Sequence, residues 1–190
     1  MIAFVVIVAV ILDILLGEPK RWHPLVGFGY LANAVEKYCN SPKSNRVFQF
    51  LLGALSWFVL VILPVLILLI LFVFVERVLG SMYLLDVIVL YLSIGYTSLR
   101  QHAMAVFNAL YNNDLHCARH QVGMIVSRDI DKLNEDEVCK AAIESVLENG
   151  SDAIFAPIFW FVIGGAPAVI VYRLSNTLDA MWGYKTKQFL

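Results

Sequence analysis

Residues 154–172 read IFAPIFWFVIGGAPAVIVY. Nineteen apolar residues in a row are just enough for one crossing of a bilayer, which takes about 20 in a helix. Gly164-Gly165-Ala166-Pro167 stands in the middle of the run. Two glycines followed closely by a proline weaken a helix there. Non-helical backbone at membrane depth is tolerated only where protein covers it, as in a re-entrant hairpin. The choice sets the topology. As a span, 154–172 carries the polar tail RLSNTLDAMWGYKTKQFL across the membrane. As a hairpin, it returns the tail to the side it came from.

The neighbouring segments share this character. Residues 48–75 run 28 positions without a charge and read as a transmembrane helix, with Pro64 as a kink and Glu76-Arg77 and Gly80 ending it. Residues 82–99 form a third span interrupted only by Asp86, which either faces protein or a water-filled cavity or sits at the interface near the helix start. Residues 2–16 are apolar except for Asp13 and short for a full crossing, which suits a tilted or partly buried first helix. They lack the basic flank and small-residue cleavage site of a signal peptide. The chain as a whole is 60% hydrophobic and 15% charged, against about 25% charged for a soluble domain. The expected fold is all-α: a polytopic integral membrane protein with about four membrane helices and a cytoplasmic helical insert. It divides into 1–99 (membrane helices with loop 17–47), 100–153 (the insert) and 154–190 (the broken or re-entrant segment and polar tail).

The insert holds five Lys/Arg and nine Asp/Glu between residues 100 and 152. Three helices are expected: QHAMAVFNALYNND, LHCARHQVGMIVSRD and NEDEVCKAAIESVLEN. Asn134 with Glu137 forms a capping-box pattern, and Gly150 suits a helix stop. With four crossings, loops 17–47 and 100–153 share ten Lys/Arg, against four on the other face, so both loops are expected in the cytoplasm. A net charge of −1 and the lack of a basic run exclude nucleic acid as a partner. Cys39, Cys117 and Cys139 form no CxxC pair and read as buried or interfacial residues.

The chemistry-bearing residues are few. Glu144, Glu148 and Asp152 recur at i, i+4, i+8, beside Ser145 and Asn149, which turn toward the apolar side. Like charges at that spacing destabilise a helix by a few tenths of a kcal/mol, which a divalent cation would relieve. Mg²⁺ suits such a pair, since it takes one or two carboxylates together with substrate phosphates. A solvated acidic face has the same pattern. Arg128 ends a helix and suits phosphate or carboxylate recognition, or pairs locally with Asp129. His116 and His120 stand at metal-sharing spacing without a third ligand. LDILLGEPKRWHP (12–24) makes a turn-rich exit from the membrane in which only Asp13 and His23 lack an anchoring role. Asn176 and Asp179 share a face of a short helix stopped by Gly183. Nucleotide-binding P-loop, Rossmann, zinc-protease and serine-hydrolase motifs are missing.

In order along the chain, LDILLGEPKRWHP, SRD (127–129), ESVLENGSDAIFAPIFW (144–160), GGAPA (164–168) and YRLSNTLDAMWGYK (172–185) resemble the adenosylcobinamide-phosphate synthase family of cobalamin biosynthesis, the CobD/CbiB proteins. The resemblance implies a multi-pass enzyme of the bacterial inner membrane. Its expected reaction joins a carboxyl of adenosylcobyric acid to (R)-1-aminopropan-2-ol or its phosphate, with ATP and Mg²⁺. Amide formation needs an activated carboxylate, most simply an acyl phosphate, then attack by the amine. On this resemblance Glu144, Glu148 and Asp152 are the catalytic candidates, Glu144 and Glu148 also holding Mg²⁺. Arg128, Asn149, Asn176, Asp179 and Lys185 are the candidates for substrate or nucleotide. The lipid bilayer and other late corrin-pathway enzymes are the expected partners. Members of that family run longer, with an Arg-, Asp- and Pro-rich C-terminal part and further membrane segments, which implies that this chain is a fragment, a truncated product or one half of a split protein. The rival expectation is a non-catalytic sensor or accessory protein like the AmpE group, or an inactive remnant.

Overall fold

The computed structural model describes residues 1–19, 23–39, 46–79, 83–127 and 129–183. It is all-helical among these: α1 (Ile2–Leu16), α2 (Pro24–Cys39), α3 (Arg46–Leu79), α4 (Tyr83–Tyr91), α5 (Tyr96–Tyr111), α6 (Leu115–Gly123), α7 (Glu135–Gly150), a π-helical turn (Ser151–Phe155) and α8 (Ala156–Trp182). Three stretches, Val47–Val78, Tyr83–Tyr111 and Glu135–Trp182, are long and apolar enough to cross a membrane, and α1 adds a shorter apolar helix of 15 residues. The protein is an all-α membrane protein. α3 runs as one helix through Pro64. It leaves Phe50, Ile70 and Phe74 exposed, as a helix facing lipid does.

The stretch that opened the question folds back. Within α8, Gly164 (φ −138°, ψ 18°) and Gly165 (φ 64°, ψ −161°) leave helical geometry and divide it into an outgoing arm, 156–163, and a returning arm, 166–182. The Tyr172 hydroxyl donates to the Asp152 carbonyl at 3.0 Å. Along one straight helix residues 20 apart would be separated by about 30 Å, so the two arms run antiparallel. Pro167 falls in the first turn of the returning arm, where its missing N–H costs no hydrogen bond. The Ala166 N–H there is taken by the Asp86 carboxylate. Asp86 therefore does face protein: it caps a helix that begins at membrane depth.

A second break corrects the expected span over 82–99. α4 ends at Tyr91 and the chain turns through 92–95 before α5 begins at Tyr96, four residues ahead of the expected insert boundary. Two residues from the GEP–WHP region complete the backbone around it. His23 Nε2 donates to the Leu92 carbonyl at 3.1 Å, and its Nδ1 accepts from Leu25 N at 3.2 Å, which fixes the tautomer. Gly95, at the N-cap of α5, has no side chain to cap with, and Asp13 substitutes from α1: Oδ2 accepts from Thr97 N at 2.9 Å, and the Asp13 carbonyl accepts from Thr97 Oγ1 at 2.7 Å. Asp13 is fully buried. The two residues that lacked an anchoring role thus hold a broken span together.

Side-chain packing forms three clusters. Val5, Ala9, Phe72, Leu90, Phe161 and Val169 join α1, α3, α4 and both arms of the hairpin. Phe28, Leu60, Val61, Leu174 and Leu178 press the returning arm onto α2 and α3. Val106, Ala118, Val122, Val138 and Ala141 give the insert its own small core between α5, α6 and α7. α6 stops at Gly123, short of Arg128, which lies outside the described residues. The capping box forms as the spacing predicts: Asn134 Oδ1 accepts from Glu137 N at 3.0 Å, and Glu137 Oε2 from Asn134 N at 2.8 Å. Gly150 does not stop α7. Its φ of −64° is helical, and the chain runs on into the π-helical turn.

A hairpin places the end of α8 on the same membrane face as the insert. With Cys39 and Cys117 replaced by serine, native Cys139, exposed on α7, marks the insert side. A cysteine at Ala180 should react with an impermeant maleimide from that same side. Labelling of the two cysteines from opposite faces would show that 154–172 spans.

Candidate active-site cleft

α7 and the returning arm diverge, and a cavity of about 710 Å³ opens between them. On the α7 wall, Ser145 is buried and donates to the Ile125 carbonyl at 2.6 Å, which seats that face of the helix against the segment after α6. Glu144 and Glu148, flanking Ser145 on the helix surface, are left exposed along the cavity. Asn149 is exposed as well, contrary to the expectation that it turns inward: its Nδ2 bonds back to the Ser145 carbonyl at 2.8 Å and to Ser145 Oγ at 3.0 Å. Both N–H donors are thereby engaged locally, and the Oδ1 acceptor remains for a ligand. The extra residue of the π-helical turn re-aims the helix at Asp152, which is half-buried beside Tyr172. Such single-turn π segments are frequent at functional sites.

The facing wall is the returning arm. Leu174 and Leu178 anchor its inner face, so Arg173, Asn176, Thr177 and Ala180 fall at i, i+3, i+4, i+7 along the cavity, with Asp179 beside them. The hairpin therefore brings Glu144, Glu148, Asn149, Asp152, Asn176 and Asp179 into one cavity. Arg128 and Lys185 lie outside the described residues. His116 and His120 on α6 do not line the cavity.

Two further chambers continue it. One of about 380 Å³ is lined by Glu18, Ser98, His102, Ser127, Asn149 and Arg173. Another of about 450 Å³ lies against Glu18, His23, Thr97, Ser98 and Gln101. Glu18 and Ser98 are common to these two, and Asn149 and Arg173 to the first of them and the large cavity, so the three lie side by side as a trough from the exit of α1 to the end of α8. Glu18 Oε1 stands 3.4 Å from His23 Nε2. Glu18, His102 and Arg173 are site residues that the spacing of the sequence does not single out. The available signal was position alone: Arg173 is the first charge after the 154–172 run, and Glu18 the first after α1.

Among the described residues no three His, Cys, Asp or Glu side chains converge closely enough to hold a metal unaided. Mg²⁺ does not require that. It keeps several waters and binds through one or two carboxylates plus phosphate oxygens, so the exposed Glu144–Glu148 pair fits it.

A family model described as CobD/Cbib protein matches residues 6–190. The cobalamin biosynthesis protein CobD of Chromobacterium violaceum is 49% identical over 96% of this chain and 58% of its own length. That of Stutzerimonas stutzeri is 49% identical over 97% of this chain and 59% of its own length. A probable cobalamin biosynthesis protein CobD of Thermoplasma volcanium is 36% identical over 97% of this chain and 60% of its own length. The chain thus spans about three-fifths of these relatives. No solved structure matches it.

Proposed function

Because the chain belongs to the CobD/CbiB family of cobalamin biosynthesis proteins, we propose that its trough is a reaction site for the ATP-dependent amidation of adenosylcobyric acid with (R)-1-aminopropan-2-ol or its phosphate. One observation carries the reading: the Gly164-Gly165 turn sets Asn176 and Asp179 opposite Glu144 and Glu148 in a polar cavity at the edge of the membrane segments. Mg²⁺ and ATP, when bound, supply the phosphoryl chemistry that activates the corrinoid carboxylate. Glu144 and Glu148 would hold the cation, and Arg128 and Lys185 the phosphates. Asp152 would take the proton of the attacking amine; its place in the cavity, with its backbone carbonyl held by Tyr172, supports that role. Asn149 Oδ1 and Asn176 would orient substrate polar groups.

The hairpin also strengthens the orientation argument. Returning the tail leaves Arg77 as the one basic residue on the far face in a chain of 14 Lys and Arg, which favours the cytoplasm for the trough, where nucleotide is available.

Complementation tests the reading. A strain lacking its synthase should regain cobalamin-dependent growth when given this chain, or this chain extended with the C-terminal part of the Chromobacterium relative. Rescue by the extended form alone makes the missing part necessary for the reaction. Rescue by neither, with both present in the membrane at normal levels, would leave the non-catalytic accessory reading.

A further inference from the structure

Arg173 is the one charged residue shared by the 710 Å³ cavity and the adjoining 380 Å³ chamber of the trough. It follows directly on the apolar run of the returning arm, and its Nε is buried without a hydrogen-bond partner. Among the described residues no carboxylate forms an ion pair with it, although Glu18 and Asp152 flank it at longer range. Arg173 is half-buried, and an interior N–H without a partner is costly unless a ligand, an ion or water completes it. An arginine anchoring the helix to lipid headgroups would reach outward to the interface. Arg173 instead faces the trough, on the same stripe as Asn176 and Thr177, and the Thr177 hydroxyl donates to its carbonyl at 2.8 Å.

We propose that Arg173 is the anion anchor of the trough, its fork of N–H groups taking the paired oxygens of a phosphoryl or carboxylate group at the junction of the two chambers. This rests on the trough being the reaction site proposed above and adds to it a binding residue. The planar fork matches either oxyanion bidentately, which a lysine cannot do. The carboxylates around it make the rest of the trough acidic, so an anion is directed to this one point and a cation to the Glu144–Glu148 wall.

The test is equilibrium binding of labelled pyrophosphate with Mg²⁺, and separately of propionate, to the full chain in detergent. Arg173→Gln should weaken binding of at least one probe tenfold or more, and Arg173→Lys should recover only part. Which probe responds tells phosphoryl from carboxylate. Since the charge has no protein partner, Arg173→Gln should melt at the same temperature as the parent or higher. Unchanged binding of both probes in Arg173→Gln would overturn the proposal, as would a melting temperature several degrees lower, which would mark Arg173 as a structural counterion. No binding of either probe by the parent chain would overturn it too. Loss of complementation with Arg173-dependent binding intact would instead count against the amidation reading alone.

Discussion

Glu148→Gln is expected to lower corrinoid amidation in membranes carrying the extended chain by about 100-fold, and the Glu144→Gln/Glu148→Gln pair further, toward background, the range seen when a group stabilising developing charge is removed. Both side chains are exposed on α7, so stability should stay within about 0.5 kcal/mol of the parent. Relief of like-charge repulsion at i, i+4 would even add a few tenths of a kcal/mol. The measurement therefore separates chemistry from folding: product formation falls while melting temperature and membrane abundance hold. Raising Mg²⁺ should restore part of the activity of the single variant, because one carboxylate of the pair remains. A Glu148→Gln protein with full activity at limiting Mg²⁺ would remove this wall from the site.

The second large effect is expected at the turn. Gly165 combines φ 64° with ψ −161°, a region that only glycine occupies without strain. Gly165→Val should cost about 1–3 kcal/mol on backbone strain alone. It should also bias 154–172 toward a continuous helix, separating Asn176 and Asp179 from Glu144 and Glu148. The expected result is low abundance, loss of complementation, and a shift of Ala180→Cys labelling away from the Cys139 side. Gly164→Ala should also be costly, for a steric reason: its φ of −138° is open to any residue, but the added Cβ would stand 2.7 Å from that of Ala168, which is fixed to the backbone of the returning arm, so the turn would have to shift. Equal activity and same-side labelling in Gly165→Val would contradict the need for glycine at this turn.

Much of this architecture was legible because it is written in local composition. The uncharged run 48–75, the Asn134–Glu137 box and the Gly-Gly-Ala-Pro interruption each act through neighbours in sequence. What escaped depends on distant partners. The break at 92–95 contains no proline, and it is supported by His23 and Asp13, 69 and 84 residues from the groups they bond. Gly150 carries a stop signal, yet its φ of −64° is helical and the chain continues into the π-helical turn. Asn149 was expected to face inward by helical angle, but its amide finds Ser145 on its own helix and stays at the surface. Arg173 and Glu18 became site residues only when folding joined the exit of α1 to the returning arm.

The buried caps also bear on biogenesis. Asp13 is made before the amide it caps, which is on Thr97, 84 residues later; Asp86 likewise precedes Ala166. Each carboxylate is made ahead of the N–H it will accept from, and each broken helix arrives to find its cap already in place. The early helices thus act as a template that admits the late ones in a single register, and a chain that paused between them would hold a carboxylate with no amide to bind.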